Sequence, residues 1–146
     1  MSLRMTPLDF DPRTRAPLDQ RLYDAAQEYC IREFGRQQDF LCYIRSWVVE
    51  RVDGEDIEVV GVATIWNTPD VPIFHVTPPS QDKEGLKVAE EVTTMMCERL
   101  NSYIADCGNR GRRTLIFVDP GKERIWRRFL NRIGAQPANR WEIEIR

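Results

Sequence analysis

A single histidine, His75, limits the nucleophilic chemistry that this sequence can support. Any Ser-His-Asp or Cys-His relay would have to run through it. His75 sits in Pro72-Ile-Phe-His-Val-Thr77, a short run of strand-forming residues closed by Pro78 and Pro79. With an unperturbed pKa near ~6.5, its imidazole can take a proton from an ammonium substrate as a general base. The competing reading is a half-buried strand histidine bonded to a neighbour. Strand alternation sends Phe74 and His75 to opposite faces and leaves open which of them lines a cleft. The four cysteines, Cys30, Cys42, Cys97 and Cys107, form no C-x-x-C pair. Beside one histidine they make a poor zinc cage, so no metal is expected and the thiols are read as reduced and structural.

Arginine is the other chemistry-bearing residue. Arg110, Arg112, Arg113, Arg124, Arg127, Arg128, Arg132 and Arg140 crowd the C-terminal quarter. Net charge is −2, but residues 1–107 hold 11 Lys/Arg against 19 Asp/Glu, whereas residues 108–146 hold 10 against 4. A basic segment on an acidic protein raises the question of a phosphate-bearing ligand or an acidic partner. Arg124, Arg127 and Arg128 share one helix face, which could contact phosphates without reading bases. Trp126 falls on the apolar arc and offers no stacking platform. Nucleic-acid binding is therefore not expected, and a solvated arginine face is. Glu50, Glu55, Asp56 and Glu58 are read the same way, as a solvated turn, because carboxylates are rarely buried unless paired. The four tryptophans are read as packing anchors.

These residues must be positioned by one domain, since 146 residues with 42% apolar and 30% charged content suit a single hydrophobic core. No apolar run reaches the ~18 residues that cross a bilayer, and the N-terminal stretch has no apolar core of a secretory signal. No membrane association is expected. Residues 1–17, with Pro7, Pro12 and Pro17, are expected as an extended lead-in draped over a domain of residues 18–146. Apolar residues from Leu18 to Phe34 recur at helical spacing and stop at Gly35. Phe40 to Val52 and Ile57 to Trp66 are strand-like and flank Asp53-Gly54, a strong hairpin signal. A third strand spans 72–77, a long one-faced helix about 83–107, a fully buried strand 114–118, a helix 122–133 and a last strand 141–146. The expected class is α/β (α+β), a mixed central sheet flanked by helices in the order α-β-β-β-α-β-α-β.

Two stretches give this order a family likeness. Thr114 to Ala135, with its Ile133-Gly134-Ala135 corner, resembles the late strand and late helix of the GNAT N-acyltransferase superfamily. Val76-Thr77-Pro78, followed by Gln81 and a long helix, is similar to the end of that family's central strand and its cofactor loop. The resemblance implies that 72–77 and 114–118 lie side by side with the helix 83–107 packed across them. It also implies that acetyl-CoA is the cofactor, its pyrophosphate held by backbone N–H groups of a glycine-containing loop at a helix N-terminus. On this chain Gln81, Gly85 and Lys87 are the residues left to hold it.

The loop departs from the family pattern. Glu84 and Leu86 stand where small residues belong, and Leu130 stands where a tyrosine often protonates the leaving thiolate. Glu123 takes the place of a frequent asparagine. In size, and in the Phe129-Leu130 pair before the corner, the chain is similar to small GNAT-like proteins of tailed bacteriophages. Two functions follow. The first is a GNAT-like domain with a degenerate acyl-CoA site, serving as a non-catalytic binding or structural protein with a protein partner, in the cytoplasm or, if phage-derived, the virion. The second is an active acetyl-CoA-dependent N-acyltransferase that uses His75 or a water as base. The sequence names no acceptor, partner or oligomeric state.

Overall fold

A computed structural model describes residues 2–66, 72–77, 80, 82–106, 113–116, 127–128, 131, 136–137 and 141–144. The elements are β1 (Ser2–Pro7), α1 (Gln20–Phe34), a 3-10 turn (Phe40–Cys42), β2 (Tyr43–Asp53), β3 (Asp56–Trp66), β4 (Pro72–Val76), α2 (Lys83–Asp106), β5 (Arg113–Ile116), β6 (Gln136–Pro137) and β7 (Trp141–Glu144). The described strands form one mixed sheet in the order β1-β2-β3-β4-β5-β7-β6. Neighbours are antiparallel from β1 to β4, β4 and β5 are parallel, and β7 runs antiparallel to both β5 and β6. The α/β class read from the periodicities is present. Of the helix expected over 122–133, the described residues are Arg127, Arg128 and Asn131, all helical.

The N-terminal lead-in is corrected: residues 2–7 form an edge strand in register with β2, from Ser2 opposite Val52 to Pro7 opposite Trp47. The described order therefore opens on a strand. Met5 carries β1 into the core at 8% exposure with Leu3 packed on the same cluster, an alternation of two apolar positions too short to announce a strand. Leu18 lies outside α1 and is 67% exposed, because Asp19 caps the helix by accepting the Leu22 N–H at 3.0 Å. The helix ends where the sequence places its stop, with Gly35 at φ 77° and its N–H bonded to the Ile31 carbonyl. The hairpin turn sits one residue later than Asp53-Gly54. Asp53 and Asp56 pair, leaving Gly54 (φ 62°) and Glu55 as the turn, the arrangement with glycine first.

Alternation along β2 and β3 divides the core between two faces. Trp47, Val49, Val60, Ala63 and Ile65 pack with Val88, Ala89, Val92, Met96 and Leu100 of α2. Val48, Val59 and Val62 pack with Leu22, Ala26, Tyr29 and Cys30 of α1, together with Leu8 and Phe40. Successive strand residues point to opposite faces, so the sheet is a middle layer between the two helices. A bulge between Val49 and Glu50 lets Gly61 take the place nearest α2. A Cβ there would lie 2.5 Å from Met96 Cε and 3.0 Å from the His75 carbonyl oxygen. Among the described residues, no helix is long and apolar enough to cross a membrane.

Candidate functional site

Tyr29, His75 and Thr77 meet at the end of β4. In the β3–β4 register Val62 is opposite His75 and Gly61 opposite Val76. Val62 belongs to the α1 cluster, while Val76 packs on the α2 cluster. His75 therefore faces α1, which resolves the face that alternation alone left open. There the Tyr29 hydroxyl lies 2.7 Å from His75 Nδ1 and 2.8 Å from Thr77 Oγ1. The Phe34 ring stands edge-on to the imidazole, 4.7 Å between centroids. The Arg32 guanidinium covers the Tyr29 ring at 5.5 Å.

Tyr29 is 1% exposed, and burial drives its phenol pKa far above the ordinary 10.0. The phenol stays protonated and acts only as a hydrogen-bond relay. With Nδ1 unprotonated, Thr77 donates to Tyr29 and Tyr29 donates to Nδ1; with Nδ1 protonated, in the Nδ1–H tautomer or the imidazolium, the chain runs in the opposite sense. The imidazole is thus held as the half-buried, neighbour-bonded strand histidine of the competing reading. A bond of this kind is also how a general base is oriented.

The entry to α2 answers more directly. Asp82 Oδ1 accepts the Gly85 N–H at 2.9 Å and the Ser80 hydroxyl at 2.6 Å, while its carbonyl accepts the Leu86 N–H at 3.1 Å. This is an N-cap, and the Ser80 hydroxyl and the Gly85 N–H hold the Asp82 carboxyl below its usual range. Gly85 is buried, and a Cβ on it would collide with the Ser80 carbonyl oxygen. Its missing side chain thus admits the chain's own backbone. Lys87 and Glu84 are exposed and Leu86 is half-buried. Gln81, Glu123 and Leu130 lie outside the described residues, as do Arg110, Arg112, Arg124, Arg132 and Arg140. Arg113 is on β5, and Arg127 and Arg128 are exposed.

A pyrophosphate does not fit this helix terminus as it stands. The donor it would need from Gly85 is already bonded to a carboxylate, and Glu84 adds a second negative charge. Asp82 was readable as a cap from its place just before a helical run, whereas the pairing of Tyr29 with His75, 46 residues apart, left no mark in any spacing. Burial pushes the Cys30 thiol pKa up to about 12 and that of Cys97 up to about 11. Among the described residues, no three His, Cys, Asp or Glu side chains are grouped to hold a metal ion. No family model, curated protein or solved structure matches this chain.

Proposed function

We propose that this chain is a GNAT-like domain that does not use acetyl-CoA and acts as a non-catalytic binding or structural component. The observation that carries the reading is Asp82, whose carboxylate takes the Gly85 N–H at the start of α2. Gly85, the one glycine available to the loop, is spent on the approach of Ser80. The fold half of the reading is supported by β4 and β5, which lie as parallel neighbours with Ile73 opposite Leu115 and Phe74 opposite Ile116. The helix between them in sequence, α2, packs on β3 and β4, as the family resemblance requires. A structural role in an assembly also suits the likeness to small phage-borne proteins.

The test is thermal. A ligand at ~100 times its Kd raises stability by about 2.7 kcal/mol, several degrees in Tm for a domain of this size. Millimolar acetyl-CoA is expected to leave the Tm of the purified protein unchanged. A clear upward shift, together with acetyl transfer to any amine, would instead establish the N-acyltransferase, with His75 or a water as its base.

A further inference from the structure

Two exposed features at opposite ends of β1 are complementary to each other and out of reach within one chain. Among the described residues β1 closes one side of the sheet, and no strand pairs with its outer edge. An open edge is a template for another strand, and β1 lacks the usual blocks. Its one charge, Arg4, is turned onto Glu50, and its one proline, Pro7, is the terminal residue.

The two ends of β1 have different neighbours. Ser2 lies beside Val52, at the β2–β3 turn, where Glu55, Asp56 and Glu58 are exposed and form no ion pair among the described residues. Ile57 between them is 46% exposed. Pro7 leads into a loop built around Asp11, whose Oδ1 accepts the Arg13 and Thr14 N–H groups at 2.8 and 3.0 Å. The loop is closed by the Asp11 N–H to the Ala16 carbonyl at 2.8 Å and by the Phe10–Pro17 bridge. It presents Arg13 and Arg15, exposed and without an ion pair among the described residues, with Leu18 at its base. Arg15 holds φ 63°, a backbone state a non-glycine residue rarely keeps.

We propose that the chain forms a two-fold dimer by antiparallel pairing of β1 with β1 of a second copy, each acidic turn meeting the other copy's arginine loop. Within one chain the loop, tied to β2 by the Leu8 N–H to Ser46 carbonyl bond, and the turn after Asp53 are about 24 Å apart at ~3.4 Å per strand residue. Antiparallel pairing sets the Ser2 end of one copy beside the Pro7 end of the other. The acidic turn and the partner's loop then project past the paired strands in the same direction. One two-fold operation makes both contacts at once. An axis perpendicular to the sheet keeps like faces together, so one residue must pair with its own counterpart. Centring on Met5 places Arg4 opposite Thr6, whereas centring on Arg4 would oppose two arginines, so the dimer is centred on Met5.

The experiment is sedimentation velocity of the full chain across a concentration series, at low and high salt. A reversible dimer that weakens with salt is expected. Arg13→Glu with Arg15→Glu, or Glu55→Lys with Asp56→Lys, should each weaken self-association at least about tenfold at low salt. Mixing the two variants should restore dimers, because both contacts of the mixed pair regain opposite charges. All four positions are exposed, and circular dichroism verifies that the variants fold. A chain that stays monomeric to ~1 mM at low salt overturns the proposal. So does a dimer indifferent to both reversals, or one that mixing fails to rescue.

Discussion

The Arg21 guanidinium lies fork-on against the carboxylate of Glu50, Nη1 3.0 Å from Oε2 and Nη2 3.2 Å from Oε1. Arg4 Nε adds a third donor at 3.2 Å, so the edge strand β1 and the first turn of α1 are tied to one residue of β2. Glu50 is 1% exposed, whereas both arginines are about half exposed. The burial of this carboxylate corrects its reading as part of a solvated turn, and the rule that buried carboxylates are paired explains it.

This asymmetry gives the first prediction. Loss of Arg21 leaves the buried charge with Arg4 as its remaining ion-pair partner among the described residues, while loss of the carboxylate leaves guanidiniums that water can reach. Arg21→Ala should cost about 2 kcal/mol in urea unfolding. Arg21→Ala combined with Glu50→Met should recover most of that loss, since no buried charge remains. If the double variant is no more stable than Arg21→Ala, the cost lies in lost packing of the arginine stem.

Tyr29 supports a second prediction. Tyr29→Phe keeps the ring between α1 and the sheet but leaves His75 Nδ1 and Thr77 Oγ1 without the hydroxyl they share. The expected loss is about 1–2 kcal/mol, against about 3–5 for Tyr29→Ala, which also empties the core. Nitrogen chemical shifts of His75 should move in Tyr29→Phe. An unchanged imidazole spectrum would mean that the relay is not formed in solution.

How far all this was legible in the sequence depends on the range over which each interaction acts. Asp19, Gly35 and the run of Leu22, Ala26, Tyr29 and Cys30 announce α1 because caps and stripes are local. The hairpin was legible from Gly54, although pairing of Asp53 with Asp56 moved the turn by one residue. β1 was less so, since the alternation of Leu3 and Met5 with Ser2, Arg4 and Thr6 spans only two apolar positions before Pro7; its place comes from register with β2. Of the candidate site, His75 stands out by its type, and Gly85 by its place in a loop pattern. What they do is decided by Tyr29 and Ser80. The first is distant in sequence, and the second lies in a turn whose path no periodicity encodes.

Asp82 supplies a third prediction, in pH. Its folded-state pKa is depressed from 3.8 by the Ser80 hydroxyl and the Gly85 N–H, so the cap stabilises the fold above the unfolded pKa. That contribution fades as pH falls through the lowered folded value. Wild type should therefore be more stable than Asp82→Ala at pH 7, and the gap should narrow below about pH 4. Thermal melts of both proteins from pH 7 to pH 3 measure it. A gap that stays constant through the acid range would show that Asp82 contributes by shape and not by charge.

The last prediction concerns a hydroxyl that the fold leaves idle. Ser46 is 2% exposed, opposite buried Thr64, and its Oγ has no hydrogen-bond partner among the described residues. Its carbonyl accepts the Leu8 N–H at 2.8 Å, a backbone bond in which the side chain takes no part. A buried donor without a partner costs about 1–3 kcal/mol, while removing an oxygen leaves a void smaller than a methyl group. Ser46→Ala should therefore raise stability by about 1 kcal/mol. Urea midpoints at an unchanged m-value decide it. A loss of stability in Ser46→Ala would show that the hydroxyl is bonded in solution, with an ordered water as the natural partner between Ser46 and Thr64.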